Sequence, residues 1–513
     1  MTHLLTAAEM REIEAHAMES GIVTGRELMD RAGRRVVEAI QTVWPDAERA
    51  SRRAAVLCGP GNNGGDGFVI ARLLHGLGWT VEVSMLGSVE TMPADARVNA
   101  ESWQELGPIH ALDAHSNPCA AAPDLVIDAL FGTGLSRPLE GLDSLLSSLR
   151  AAHGQGRSRI VAVDIPSGLC ADSGRVLGGA GAAIPAHLTV SFHRAKRGHY
   201  LSDGPALCGS LVVGDIGLRP EATEGRGVPL VAARARELSK GQGGHKYDSG
   251  HALVMTGGAG TTGAARLAAR AALRVGAGLV TTGVPGSAQF EVAAQQTAVM
   301  LRRIDDGAAL ADMLEGDGRL NAVCLGPGLG ATRALDLVPA ALAARRATVL
   351  DADALTAFSD APDTFFDALH ADCVLTPHMG EFARLFPDLA SPLTDVAERG
   401  PAPSRIDAAL AAANQSGAVI LLKGPDTIVA APDGRVSVAA AVYDRAAPWL
   451  ATAGAGDVLA GMITGLMARG MPAMRAAETA AWLHAECARC FGPGLIAEDL
   501  PEALPGVFRT LGV

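Results

Sequence analysis

The chain has 513 residues, enough for two to four domains at roughly 150 residues each, so a single small module is excluded. Lys+Arg 43 against Asp+Glu 55 gives a net charge of -12 and aromatic residues are only 4%, which excludes a non-specific nucleic-acid binder and an aromatic stacking platform. No uncharged apolar run reaches the roughly 18 residues of a membrane span, the opening MTHLLTAAEMREIE lacks a basic and then apolar leader, and the 8 cysteines are scattered rather than framed for disulfides. A cytoplasmic protein is expected, with no nucleic-acid or membrane partner.

Thr6 with Glu9, and Thr24 with Glu27, are capping-box pairs ahead of amphipathic runs, so two helices are predicted at the start. Short apolar runs follow at 54–58, 80–86, 125–130, 159–165, 187–192 and 210–213, separated mostly by helix-length pieces. The first four end in glycine or aspartate, the reading of a buried parallel sheet. Residues 219–244, with EGRG and GQGG, read as a linker. Alternation resumes with a strand at 251–256, the turn GGAGTTG, a helix at 264–275, and strands at 322–325, 347–350, 372–375 and 418–422. Two α/β domains are predicted, 1–225 and 235–513, the first Rossmann-like, each with ligand loops at the carboxyl ends of its strands.

In the first half, Gly59-Pro60-Gly61-Asn62-Asn63-Gly64-Gly65-Asp66-Gly67 reads as a loop between a strand and a helix beginning at Phe68. Its glycines allow amides and side-chain oxygens to turn inward on an anionic or polyol ligand. A plain turn could use the same glycines but would not need two asparagines and an aspartate. Residues 59–64 also match G-x-G-x-x-G, a weak signal alone, with Glu82 near the place of a ribose-binding acid. Asp128 in VIDALFGTGLSRP and Asp164 in VAVDIPSGL end apolar strands on the same sheet edge. Either could bind a cation, hold a ribose, move a proton or cap the following turn.

These three motifs, in this order and spacing, resemble the N-terminal domain of the YjeF family, the NAD(P)H-hydrate epimerases. The resemblance implies that Asn62, Asn63, Gly64, Gly65 and Asp66, with Gly132, Thr133, Gly134, Leu135, Ser136, Arg137 and Pro138, hold the hydrated nicotinamide nucleotide. It implies that Asn63, Asp128 and Ser167 ligate a potassium ion (K+), and that Asp164 lies beside the reacting ring. Epimerising C6 breaks and remakes a bond to oxygen, and a carboxyl can shuttle the proton, so Asp164 is the candidate acid/base.

In the second half, AGAGDVLAG places glycines before Asp457 at the start of an apolar helix. Anion-binding amides beside a base are what phosphoryl transfer needs, and a helix cap is the plain alternative. Lys423-Gly424-Pro425-Asp426-Thr427 follows an apolar strand and could grip a nucleotide. Cys487 and Cys490, with His484 three residues before, form a C-x-x-C on a predicted helix; with no second pair, helix packing is expected over metal binding. Together with HKYDSGHALVMTGG, GTTGAARLAARAALRVGAGLV, LGPGLG, LDADAL and TPHMGE, these motifs resemble the C-terminal YjeF domain, the nucleotide-dependent NAD(P)H-hydrate dehydratase, whose fold is ribokinase-like.

By that resemblance Ala264, Gly328, His378 and Asp457 contact the hydrate, while Lys423, Gly424, Pro425, Asp426, Thr427 and Gly456 contact ADP or ATP, which brings a magnesium ion (Mg2+). His378 without the family reads equally as a loop histidine. Tyr247 and Ser249 stand where the family often has glycine and histidine, and Ala455 where a hydroxyl is common. Asp457 is the candidate base for the C6 hydroxyl, whose phosphorylation creates a better leaving group. The expectation is a bifunctional repair enzyme on small-molecule substrates, forming a homo-oligomer, which interconverts R and S hydrates and dehydrates the S form. Its rivals are a ribokinase-like vitamin or sugar kinase, and a first half that only senses ligand.

Overall fold

The computed structural model describes residues 2–45, 51–113, 116–219, 224–240 and 244–513. Both capping boxes form: Thr6 and Thr24 accept from the amides of Glu9 and Glu27, whose carboxylates return to the cap amides, opening helices Ala7–Glu19 and Gly25–Val43. The chain folds as two compact units, one of residues 2–228 with 395–404, the other of 229–394 with 405–513. The excursion 395–404 thus belongs structurally to the first unit, a departure from two contiguous blocks that no local pattern announces. Of the predicted linker, residues 220–223 and 241–243 lie outside the described residues.

The first unit is built on seven parallel strands, in spatial order Ile109–Ala111, Thr80–Met85, Arg53–Cys58, Leu125–Ala129, Arg159–Val163, Leu188–Phe192 and Ser210–Gly214. Leu125–Ala129 and Leu188–Phe192 are buried at every residue, as in a sheet covered on both faces, so Thr189 and Ser191 of the second are buried along with its apolar residues. The strand order reverses between Arg53–Cys58 and Leu125–Ala129, so a crevice opens outside their carboxyl ends, where such sheets bind ligands.

Two sequence readings are corrected here. Asn62 to Gly67 is not a loop but the opening of helix Asn62–Gly76. A Cβ at Gly64 would lie 2.0 Å from the Gly59 carbonyl oxygen, so the glycine permits a helix turn packed directly on the strand end. Glu82 does not stand at a strand end: it is exposed and pairs in register with Ala55, three residues before the end of its strand.

The second unit has nine strands, in order Met300–Arg303, Leu279–Val284, His251–Met255, Leu320–Leu325, Ala347–Leu350, Cys373–Leu375, Val419–Leu422, Asp426–Ala430 and Val436–Ala440. The first seven run parallel, and the last two are added by antiparallel pairing in turn. Helix Ala455–Ala468 is buried along nearly its whole length against helix Gly263–Arg274. The expectation of two α/β domains on parallel sheets holds in both units. Among the described residues no helix is long and apolar enough to cross a membrane.

Candidate functional site

In the first unit, the ends of four adjacent strands bring the sequence candidates to one edge. Asp128, fully buried, accepts from the Ser167 hydroxyl at 2.6 Å and the Ser167 amide at 2.9 Å. Burial raises its carboxyl to about 6, offset only by those bonds and the Leu130 amide, with no cationic side chain in play. The carboxamide of Asn63, on the first turn of its helix, would touch a Cβ at Gly132 at 3.0 Å, and its Nδ2 is buried without a partner. Asp128 and Ser167 therefore meet at a buried carboxyl with no cationic partner, and Asn63 lies against the neighbouring Gly132. That donor set fits a monovalent cation with hard oxygen ligands. The segment Gly132 to Pro138 forms the rim, with Gly134, Ser136 and Arg137 exposed.

Asp164 follows strand Arg159–Val163 with φ of 66°, a left-handed conformation costing a non-glycine residue about 1–3 kcal/mol. Its amide donates to the Val190 carbonyl at 2.8 Å, and its carbonyl meets His199 Nε2 at 2.8 Å. Lys196, wholly buried, donates to Asp164 Oδ1 at 2.8 Å and to the Ser191 hydroxyl at 3.0 Å, which itself donates to Oδ1 at 3.0 Å. Both bonds land on Oδ1, so Oδ2 is the oxygen left for a ligand. Burial favours the protonated acid, but the Lys196 ammonium overrides it and holds Asp164 below the usual carboxylate range.

His199 is pushed down to about 4, chiefly by burial, so its ring is neutral; facing a carbonyl, Nε2 carries the proton, and Nδ1 accepts from the Lys196 amide at 2.9 Å. Two further acids face this pair. Burial raises Glu14, on the first helix, to about 7, and raises Asp66 well above its ordinary value with repulsion from Asp164 and Glu14 adding to it. A carboxylate of lowered proton affinity beside carboxyls of raised affinity is an acid–base set with its proton affinities pushed apart. Lys196, Ser191, His199 and Glu14 were missed by sequence reasoning. The basic run HRAKRGHY after an apolar strand was the available signal.

In the second unit, strand-end residues ring the start of helix Ala455–Ala468. Gly454, with φ of 87°, caps that helix without a side-chain bond, leaving its first turn open to an anion. Lys423 follows Val419–Leu422 and donates to Asp351 Oδ1 at 2.8 Å, with Glu381 Oε2 at 3.6 Å. Thr376 donates to the same Asp351 oxygen at 2.8 Å. Burial raises Asp457 to about 6, with Asp351, Asp353 and Glu381 adding repulsion and Lys423 opposing it. Asp351 was missed although it ends an apolar strand in LDADAL, the same pattern that singled out Asp128 and Asp164.

Beside this cluster lies a cavity of about 770 Å³, lined by His378, Lys423, Gly424, Pro425, Thr427 and Gly456 together with small apolar side chains. Thr427 closes its turn by donating to the Gly424 carbonyl at 2.6 Å. Asp426, by contrast, is paired with Arg405 at 3.1 Å and is not on the cavity wall. His378 caps the next helix, its Nδ1 accepting from Gly380 at 3.0 Å and Glu381 at 3.2 Å. Gly328 and Ala264 adjoin each other, a Cβ at Gly328 falling 3.3 Å from Ala264 Cβ, away from the cavity wall.

His484 turns from Cys487 and Cys490 to place Nε2 2.8 Å from the Ala455 carbonyl. It therefore braces the helix start, Cys487 is buried in the core and Cys490 is exposed. Tyr247 sits on a surface turn under Arg319, 4.8 Å from its ring centre, and Ser249 shares that turn; neither lines the cavity, whereas Ala455 does.

Both units resemble known proteins. Residues 25–198 match the family of YjeF-related protein N-termini, and residues 252–500 match the NAD(P)H-hydrate dehydratase family. The bifunctional NAD(P)H-hydrate repair enzyme Nnr of Moorella thermoacetica is 38% identical, covering 99% of this chain and 97% of that protein. The NAD(P)H-hydrate epimerase of Rhodobacter capsulatus is 47% identical over 202 residues, 39% of this chain and 92% of its own. A solved structure, the ADP/ATP-dependent NAD(P)H-hydrate dehydratase of Bacillus subtilis co-crystallised with ATP and Mg2+, covers 55% of this chain and 99% of its own, with 27% identity and a TM-score of 0.45. With the Moorella likeness running through both units, the chain belongs to the family of bifunctional NAD(P)H-hydrate repair enzymes.

Proposed function

We propose that the first unit interconverts the R and S hydrates of NADH and NADPH at Asp164, and that the second dehydrates the S form at Asp457 with ADP or ATP. The observation that carries this reading is a pair of carboxyls, one at a strand end and one in the first turn of a helix, whose proton affinities are pushed in opposite directions. Asp164 is held ionised by Lys196 and faces a carboxyl of raised proton affinity, and Asp457 stands at an open helix start beside Lys423.

In the first unit, the C6–oxygen bond breaks as the ring nitrogen's lone pair moves in. The departing oxygen takes a proton from a neighbouring carboxyl and leaves as water. Water then returns to the other face as Asp164 accepts its proton. In the second unit, Asp457 removes the C6 hydroxyl proton as that oxygen attacks the terminal phosphoryl of the nucleotide. The open amides of the helix start and Lys423 stabilise the transferring group. The resulting phosphate is a better leaving group than hydroxide, the ring nitrogen's electrons expel it, and the cation left loses a proton from C5 to give NADH or NADPH.

Gly132 to Pro138, Asn62 and Gly64 to Asp66 surround the hydrate in the first unit, and Ala264, Gly328 and His378 contact it in the second. Lys423 to Thr427 and Gly456 hold the nucleotide, Asp426 acting through its pairing with Arg405, and Mg2+ would offset charge on the phosphates. Asn63, Asp128 and Ser167 would hold K+, whose charge compensates the buried Asp128; KCl, but not NaCl, is expected to raise the unfolding temperature, and Asp128→Asn to abolish the rise.

Supplying pure R hydrate without nucleotide tests the division. S hydrate is expected, followed by NADH or NADPH only when ADP or ATP is added. If the R form persists, the first unit is a sensor rather than an epimerase.

A further inference from the structure

The rim Gly132 to Pro138 does not stand on the first half of the sequence alone. The excursion 395–404 leaves the second half after helix Pro387–Thr394 and lies within the first unit. The Gly400 amide donates to the Ser136 carbonyl at 3.0 Å, and a Cβ at Gly400 would come within 3.0 Å of the Leu135 carbonyl oxygen. Ala397 bridges to Leu177 in strand fashion and accepts from the Gly178 amide at 2.8 Å. A Cβ at Gly178 would fall 2.9 Å from Pro138 Cβ, so the far end of the rim rests on the backbone that the excursion holds.

The fit is apolar as well as hydrogen-bonded. Ala397 and Ala402 are buried with Cys170 and Leu177, and Leu135 of the rim packs on that cluster. Arg175, itself buried, reaches the carbonyls of Asp395 and Pro403 and pins both ends of the excursion. The same contacts reach the proposed cation site, because the Leu177 amide donates to the Gly168 carbonyl, the residue after Ser167.

We propose that residues 395–404 are a positioning strap for the hydrate-binding rim, so that the epimerase site of this chain is completed by a segment encoded in its dehydratase half. The inference rests on the reading that Gly132 to Pro138 binds hydrate. Stand-alone relatives such as the Rhodobacter epimerase match only the first part of this chain. The strap is therefore a device for ordering the rim, not a requirement for the chemistry, and its loss should weaken binding more than turnover.

The test uses the full chain. Residues 396–403 are replaced by a glycine–serine segment of equal length, Gly400→Val is made separately to press on the rim, and Gly134→Val serves as a rim control, since a Cβ there meets nothing within 4 Å. With both strap variants, the KM for R hydrate is expected to rise about tenfold while kcat for epimerisation and nucleotide-driven dehydration of S hydrate stay within about twofold of wild type. An unchanged KM in the strap variants, with a raised KM in Gly134→Val, overturns the strap and leaves the rim reading standing. An unchanged KM in all three overturns the rim reading and the strap with it. Loss of kcat and KM together, with dehydration retained, reduces the segment to a folding role and equally overturns the proposal.

Discussion

Asp164 and Asp457 are the carboxyls proposed to transfer protons, and their surroundings push them in opposite directions. Lys196 and Ser191 converge on Asp164 Oδ1, whereas Asp457 has Asp351 as its strongest repelling neighbour after burial itself. Replacing Lys196 with Met removes the charge that holds Asp164 ionised, leaving only the Ser191 hydrogen bond and His199 against burial. Epimerisation at neutral pH is expected to fall at least about 100-fold and to recover as pH rises, because the base limb of the profile moves upward. A variant slowed equally at all pH values would show that Lys196 only packs.

For Asp457 the sign is set by its raised value of about 6. As a base it must be ionised, and at neutral pH most of it is. Dehydration should therefore fall tenfold per unit as pH drops below about 6, a pH–rate profile measured with saturating nucleotide. The stronger repeller, Asp351, also accounts for this: Asp351→Asn is expected to shift that limb downward. These roles were only partly readable from sequence. Asp164 and Asp457 were marked by a strand end and a glycine-rich helix start, but Lys196 and Glu14 come from distant segments whose local pattern reports only a basic loop and an amphipathic helix.

Among the elements, the strands were legible because burial on both faces forces a continuous apolar run, as in Leu125–Ala129. Strands Leu279–Val284 and Met300–Arg303 were not. The first is broken by threonine and glycine, and the second, at the sheet edge, has no fully buried residue. The helix start at Asn62 was also misplaced, since asparagine and glycine are poor helix formers and only tertiary packing makes them helical. That gives Gly64 a defined role: Gly64→Ala forces a methyl to within 2.0 Å of the Gly59 carbonyl oxygen. Such overpacking costs about 1–3 kcal/mol. Thermal unfolding should show the first unit destabilised and epimerisation lost, with dehydration retained; a normal melt would mean the helix shifts freely on its strand.

At the scale of the whole molecule, the proposed reacting groups fall into two separate sets, each built on its own sheet and core. The R hydrate is unusable by a stereospecific dehydratase, so the first unit's product is the second unit's substrate. Nothing in either set requires the same polypeptide to supply both. A mixture of Asp164→Ala and Asp457→Ala chains, each unable to convert R hydrate to reduced coenzyme in the presence of nucleotide, is therefore expected to restore that conversion. It should do so after a lag while free S hydrate accumulates, and the lag should shorten in proportion to the Asp457→Ala chain added, since that chain carries the working epimerase. Absence of restoration would mean that the hydrate must pass between units of one chain without release, and the two sites would then have to be treated as one.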